Sequence, residues 1–180
     1  MADVYILKGD GTPVDIVDNY IDIRWSRKLY GVGDFTMRVK FLKSQIERLE
    51  KGRLVAPQEE AGGFAPDQAF IIESLEYEVA PSGEEAVTAS GRAFGGFLGE
   101  RLILPGSGLA YDQQSGKAET VMKYYVSKNA GAGATSNRKL PGLSIAPDLA
   151  RGPSVTYQGR YQTLADMLAE IARLTGLGWE

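Results

Sequence analysis

The sequence predicts an α+β fold: a β-rich first half built from antiparallel hairpins, then a mixed half carrying two amphipathic helices. Three observations predict it. Two early segments, Ile21 to Ser26 and Asp34 to Phe41, alternate apolar and polar residues with period two. Two later segments, near 116–128 and 163–175, carry apolar residues at helical spacing. The 22 glycines and 8 prolines divide the chain into short pieces, as many turns between strands require.

The elements follow in order. Residues 3–8, with Val4, Tyr5, Ile6 and Leu7, read as a strand. Gly9-Asp10-Gly11-Thr12-Pro13 is a turn signal, and Val14 to Val17 returns as the second arm of a hairpin. In the strand at 20–26, Ile21, Ile23 and Trp25 share one face and Asp22, Arg24 and Ser26 the other. In the strand at 34–41, Phe35, Met37, Val39 and Phe41 alternate with Thr36, Arg38 and Lys40. Such alternation predicts two half-buried strands, and Gly31-Val32-Gly33 between them predicts an antiparallel pair. Leu42 to Lys51 has Ile46 and Leu49 at a spacing suited to a helical turn or two, and Arg53 to Pro57 reads as a short strand. Gln58 to Asp67 is a loop rich in Glu, Gly and Pro. A long strand at 69–79, a turn at Pro81-Ser82-Gly83-Glu84 and a partner at 85–92 complete the first half, 1–92.

The second half, 93–180, opens with glycines among Phe94, Phe97, Leu98 and Leu102, which read as a short helix and an extended exit to Pro105. Ala118, Val121, Met122 and Tyr125 form the stripe of the first helix. Leu164, Met167, Leu168, Ile171 and Leu174 form that of the second, with Thr163 as N-cap, Asp166 as early negative charge, Arg173 near the end and Gly176 as the stop. A Gly/Ala/Ser loop, Asn129 to Gly142, lies between them. Gly178-Trp179-Glu180 reads as the start of a strand without a body. A tryptophan there needs a neighbour to bury it. Two readings stand: 93–180 belongs to the N-terminal part of a longer protein or is completed by a partner, or Trp179 folds back on its own helix.

Composition narrows the chemistry. The chain has 180 residues, 43% hydrophobic and 24% charged, within the range of folded domains. A net charge of −3 argues against a generic nucleic-acid binder, which presents a basic face. No apolar run approaches a bilayer span, so no membrane anchor is expected. Without cysteine, disulfides and thiolate zinc sites are excluded; without histidine, so is a Ser-His-Asp arrangement. Carboxylate, lysine or tyrosine chemistry remains, with hard cations as the metals Asp and Glu could hold. No cofactor, metal site or catalytic set is predicted.

The motifs point the same way. Gly31-Val32-Gly33 lacks a third glycine at the required place and joins two strands, so it is not a dinucleotide fingerprint. Gly91, Gly95, Gly96 and Gly99 lack the Lys-Ser/Thr ending of a phosphate loop. Ser107 in Gly106-Ser107-Gly108 has no histidine to activate it. Glu73, Glu76, Glu78, Glu84 and Glu85 leave a two-carboxylate glycosidase as an alternative. Exposed strand faces need such residues in any case. Asp22, Arg24, Arg38 and Lys40, extended by Arg27 and Lys28, are read first as cross-strand ion pairs and second as an intersubunit contact.

Two stretches carry a resemblance: Trp25, Tyr30, Gly31, Gly33 and Phe35 in the first hairpin, and Gly91, Arg92, Leu98, Arg101, Ile103 and Pro105 after the second. Thr175 to Trp179 adds a third. Together they resemble the siphovirus minor tail or tail-hub protein family (ReqiPepy6 tail-protein-like), related to phage base-plate hub proteins. The resemblance implies barrel-like β hub modules with added helices and no enzymatic activity. It implies a structural component of a phage or prophage tail tip, made in the bacterial cytoplasm and assembled at the end of the tail tube. The implied partners are further copies of the chain in a ring, a trimer first, then distal tail and tape-measure proteins, with transient contact to passing DNA. Arg24, Arg27 and Arg38 of the polar hairpin face, with Trp25, Tyr30, Arg101 and Trp179 of the resembling stretches, are the nominated interface residues. A carbohydrate-binding module and a carboxylate-based cell-wall glycosidase are the alternatives.

Overall fold

The computed structural model describes residues 3–58, 64 and 68–179. Most of the loop expected at Gln58 to Asp67 therefore lies outside the described residues. The chain divides into two units, one of residues 1–27 and 33–94, the other of residues 28–32 and 95–180.

The first unit is a seven-stranded sheet. β1 (Val4–Leu7) and β2 (Pro13–Val17) form the opening hairpin. Its turn is held by the Thr12 amide, which donates to the Asp10 carboxylate at 2.9 Å and lowers that carboxyl below its ordinary range. β3 (Tyr20–Trp25) pairs with β4 (Asp34–Lys40), β5 (Leu54–Pro57) with both β1 and β6 (Phe70–Val79), and β7 (Glu85–Ala93) with both β6 and β4. All these pairings are antiparallel, and the strand order is β2-β1-β5-β6-β7-β4-β3. A single helical turn, α1 (Lys43–Ile46), follows β4. Because β2 and β3 do not pair among the described residues, the sheet is open, not the closed barrel that barrel-like modules would have.

One face of this sheet holds the core. Ile6, Phe35, Met37, Val39, Ile72, Val87 and Ala89 are buried together, and the Phe35 and Phe70 rings meet at 5.5 Å between centroids. The alternation in β4 is therefore real, but it stops at Val39: Phe41 lies beyond the strand end, exposed, with its ring 6.2 Å from that of Tyr77. The alternation in β3 is not a burial pattern. Ile21 and Trp25 are 46% and 41% exposed, because β3 is an edge strand whose register shifts between Tyr20 and Asp22. A bulge there gives one residue no opposite number and redirects its side chain.

The second unit packs two helices on a two-stranded ladder. β8 (Asp112–Lys117) pairs antiparallel with β9 (Ser154–Gly159), and α2 (Ala118–Asn129) follows β8 without a break. Gly116 and Lys117, expected in the helix, end the strand instead. The buried residues of α2 include Val121, Met122 and Tyr125, those of α3 (Leu164–Thr175) Leu164, Met167, Leu168 and Ile171. They form one core with Ile103. Leu174, expected in that stripe, is 74% exposed. It lies in the last turn of α3, past the last buried residue, Ala172. Thr163 caps α3 by accepting from the Asp166 amide at 3.1 Å, and Gly176, in the left-handed region at φ 71°, ends it by donating to the Ala172 carbonyl. A 3-10 helix, Phe94–Glu100, occupies the glycine-rich stretch after β7.

Candidate functional site

In the first unit, three of the nominated interface residues lie on the β3–β4 ladder. Arg24 stands opposite Thr36, Trp25 opposite Phe35, and Arg38 opposite Asp22. Arg24 reaches along its own strand to Asp22 at 3.2 Å, with both side chains largely in solvent. Arg38 turns the other way and donates to Glu78 at 3.0 Å, across β7. Its Nε is buried and has no hydrogen-bond partner. Arg27, just past the strand, is exposed. The cross-strand ion-pair reading thus holds for Arg38, but with β6 and not β3 as the source of the acid.

Arg38 and Lys40 also line a groove of about 540 Å3 on the polar face, with Ile21, Phe41, Glu84 and Glu85. Ile21 belongs to the bulged stretch of β3, so the bulge adds a second large apolar side chain beside Phe41 among the charged residues of the groove.

Two of the carboxylates that invite a glycosidase are held in ion pairs. Glu73 is bonded to Arg92 at 2.9 Å and Glu78 to Arg38, while Glu84 and Glu85 sit at the tip of the β6–β7 hairpin. Ser107 stands in an exposed turn. Among the described residues, no three His, Cys, Asp or Glu side chains come together as a metal site would need. No described helix is long and apolar enough to cross a membrane.

In the second unit the other three nominated residues have different surroundings. Tyr30 is 37% exposed in the 28–32 segment. Arg101 is tied down: its Nε donates to the Arg138 carbonyl at 3.0 Å, and Arg138 in turn donates to the Leu102 carbonyl. Trp179 packs half-buried against the core of α2 and α3, and its amide donates to the Leu29 carbonyl at 3.2 Å. Trp179 is thus covered within its own unit. A Cβ at Gly178 would lie 2.2 Å from the end of the Leu29 side chain, which would have to turn aside.

The strongest polar clusters escaped the sequence reading. Glu119, 3% exposed, receives Arg151 Nε and Nη2 at 3.0 Å each, the Arg151 amide at 2.9 Å and Lys123 Nζ at 2.6 Å. Arg151 first and Lys123 second hold its carboxyl far below the usual carboxylate range. Asp112, 4% exposed, accepts from Lys128 at 2.8 Å and from the Tyr124 hydroxyl at 3.2 Å. Burial works against the charge on Lys128, yet its bonds to Asp112 and Tyr124 leave the ammonium more basic than usual. Tyr125 donates to the Asp112 and Tyr157 carbonyls, and burial, helped by the Asp112 charge, pushes its hydroxyl up to about 12. Tyr157 bonds Gln162 and Glu170, its hydroxyl raised by burial and then by Glu170. The i, i+4 spacings Glu119–Lys123 and Tyr124–Lys128 were legible. Asp112 and Arg151 come from far along the chain and were not.

These clusters tie a strand end and a loop to helix α2. What the first unit offers is an open sheet whose two edge strands carry exposed apolar side chains, Ile16 on β2 and Ile21 and Trp25 on β3. Scattered singly such residues are ordinary; around sheet edges they are the material of contacts.

Two solved structures share the fold. The 43 kDa tail protein of prophage MuSo2 from Shewanella oneidensis is 15% identical, with a TM-score of 0.54 over 96% of this chain and 49% of that one. A tail protein from Neisseria meningitidis MC58 is 17% identical, with a TM-score of 0.51 over 96% of this chain and 45% of that one. The chain thus spans about half the length of each. Among curated proteins none matches by sequence. The model of the Siphovirus ReqiPepy6 Gp37-like protein family matches residues 3–180, and the chain belongs to that family.

Proposed function

We propose that this chain is a structural subunit of a phage or prophage tail tip, a hub-type component that acts by assembling at the end of the tail tube. One observation carries the reading: the fold extends over 96% of the chain in common with two proteins named as tail proteins. Membership of a siphovirus family supports it. In this role the chain works without turnover, consistent with carboxylates that are spent on ion pairs at Glu73 and Glu78.

The partners are further copies in a ring, a trimer first, and neighbouring distal tail and tape-measure proteins. Heterologous contacts of this kind close only if the rotation closes. Arg24, Trp25, Arg27 and Tyr30 are the exposed members of the nominated interface. Arg38, Arg101 and Trp179 hold their own units together and contribute less.

The test is the mass of the purified chain by light scattering coupled to size exclusion, across a concentration series. A closed trimer or hexamer is the expected result. A strict monomer at the highest concentration, with saturable binding to cell-wall polysaccharide or release of sugar from it, overturns the reading in favour of a glycan-directed role.

A further inference from the structure

β6 outruns one of its neighbours. β5 pairs with it at Phe70 and Ile71, and the contact ends where the Ile72 amide donates to the Arg53 carbonyl at 2.9 Å and the Gly52 amide to the Ile72 carbonyl at 2.8 Å. A turn there, closed by the Arg53 amide on the Glu50 carbonyl, takes the chain away to Leu49 in the core. β6 continues to Val79, and among the described residues only β7, on its other side, pairs with that stretch. Glu76, Tyr77, Glu78 and Val79 are all exposed.

The ladder shows which backbone groups are unused. The Ala80 amide donates to the Glu84 carbonyl at 2.8 Å, so Ala80 faces β7. In an antiparallel ladder this orientation alternates, so Glu78 and Glu76 face β7 as well, while Val79, Tyr77 and Leu75 direct N–H and C=O to the open side. The Phe41 amide, which donates to the Glu85 carbonyl at 3.0 Å, agrees: Glu85, opposite Val79, turns its backbone to β4 and not to β6. The side chains of Leu75, Tyr77 and Val79 lie on the core face, where Tyr77 stands opposite buried Val87. Tyr77 and Val79 are 61% and 70% exposed, so this face runs on past its own cover. Glu76 and Glu78 lie on the other face.

We propose that this edge of β6 receives an extended segment of another protein, alternating apolar and basic residues, as an added antiparallel strand in the lane that β5 leaves. Its backbone pairs with Leu75, Tyr77 and Val79, and its apolar side chains cover theirs. Its lysines or arginines face Glu76 and Glu78. The β6 edge of a second copy fails the charge requirement, because two such edges set glutamate against glutamate. From Ser74 to Val79 the edge has no proline, lysine or bulge, the devices that close a strand to addition; β2, by contrast, begins with Pro13, and β3 is bulged. The inference stands on the sheet unit alone and not on the tail reading.

The probe is a fluorescein-labelled synthetic peptide, Gly-Lys-Val-Lys-Val-Lys-Val-Gly, titrated with the full chain at low salt and followed by fluorescence anisotropy. The same peptide with glutamate for lysine is the control. The lysine peptide is expected to bind saturably, the glutamate peptide at least about tenfold more weakly. Glu76→Lys should weaken the lysine peptide about fivefold. Val79→Pro removes an N–H that the β6–β7 ladder does not use, and should weaken binding at least about tenfold. Amide hydrogen exchange, read residue by residue by NMR on the parent chain, separates strand addition from loose charge attraction and needs no variant. The Leu75, Tyr77 and Val79 amides should exchange at least about tenfold more slowly with peptide bound, while those of Glu76 and Glu78, already in the ladder, change little. Absence of saturable binding, equal binding of the two peptides, or slowed exchange elsewhere than at Leu75, Tyr77 and Val79 overturns the proposal. None of these results alters the mass of the chain alone in solution, so this inference and the tail reading can each fail without the other.

Discussion

Replacing Gly91 with alanine should be among the most damaging small changes to the sheet unit. Gly91 lies in β7 opposite Phe35 of β4 and Ile72 of β6, next to the register shift between Ile72 and Ser74. A Cβ there would stand 1.8 Å from the Ile71 carbonyl oxygen and 2.9 Å from its carbon. Cβ contacts under 3.0 Å are essentially never seen, so β6 and β7 must separate locally by about 1.2 Å, the difference between 3.0 and 1.8. The obstacle is backbone and cannot rotate away. Such a separation loosens two or three ladder hydrogen bonds at about 1 kcal/mol each, and overpacking alone typically costs about 1–3 kcal/mol. We expect a loss of at least about 3 kcal/mol in all, which at a typical urea dependence of about 2 kcal/mol per molar moves the midpoint down by at least about 1.5 M. Gly31→Ala is the control, since a Cβ at Gly31 meets nothing within 4 Å. It should stay within about 0.5 kcal/mol of the parent. The assay is urea unfolding followed by far-ultraviolet circular dichroism on both variants. A Gly91→Ala midpoint within about 0.25 M of the parent, or a Gly31→Ala loss of equal size, refutes the steric argument.

Two further predictions concern the helical unit. Glu119 has a carboxyl held below its ordinary value of 4.5, so its contribution to stability is complete above that value and is lost as pH falls toward its folded value. The urea midpoint of the parent should therefore drop more steeply from about pH 5 to about pH 3 than that of Glu119→Gln; parallel curves would remove Glu119 as a cause. Tyr125→Phe keeps the buried ring but leaves the Asp112 and Tyr157 carbonyls without their donor, and should cost about 1–2 kcal/mol by the same denaturation measurement.

The fold was legible where local pattern and tertiary environment agree. β4 alternates because one of its faces is core, and α3 carries its N-cap at Thr163, its stop at Gly176 and four residues of its buried stripe in one continuous segment. It was illegible where the environment decides. β8 is Asp-Gln-Gln-Ser-Gly-Lys, with no residue that favours a strand by itself, and exists because β9 pairs with it along its whole length. Ile21 and Trp25 read as buried because alternation says which residues share a face, not whether anything covers that face. On an edge strand the same pattern is a surface pattern.

The same distinction explains why the interface residues are the hardest part to read. Arg24, Arg38 and Arg101 are one residue type in comparable sequence settings. In the structure Arg24 stands in solvent, Arg38 is bonded across the sheet to Glu78, and Arg101 holds the Arg138 carbonyl. An arginine committed to its own chain has little left for a partner, because breaking a satisfied buried contact to make an intersubunit one gains almost nothing net. Candidates for assembly are therefore found by subtraction. Of these three only Arg24 lies on an edge strand with its guanidinium in solvent, and its ion pair with Asp22 is itself largely exposed. Charge sign along β3 was readable from the start. What gives it meaning is the edge position of that strand, which is a property of the order of all seven strands and of no segment alone.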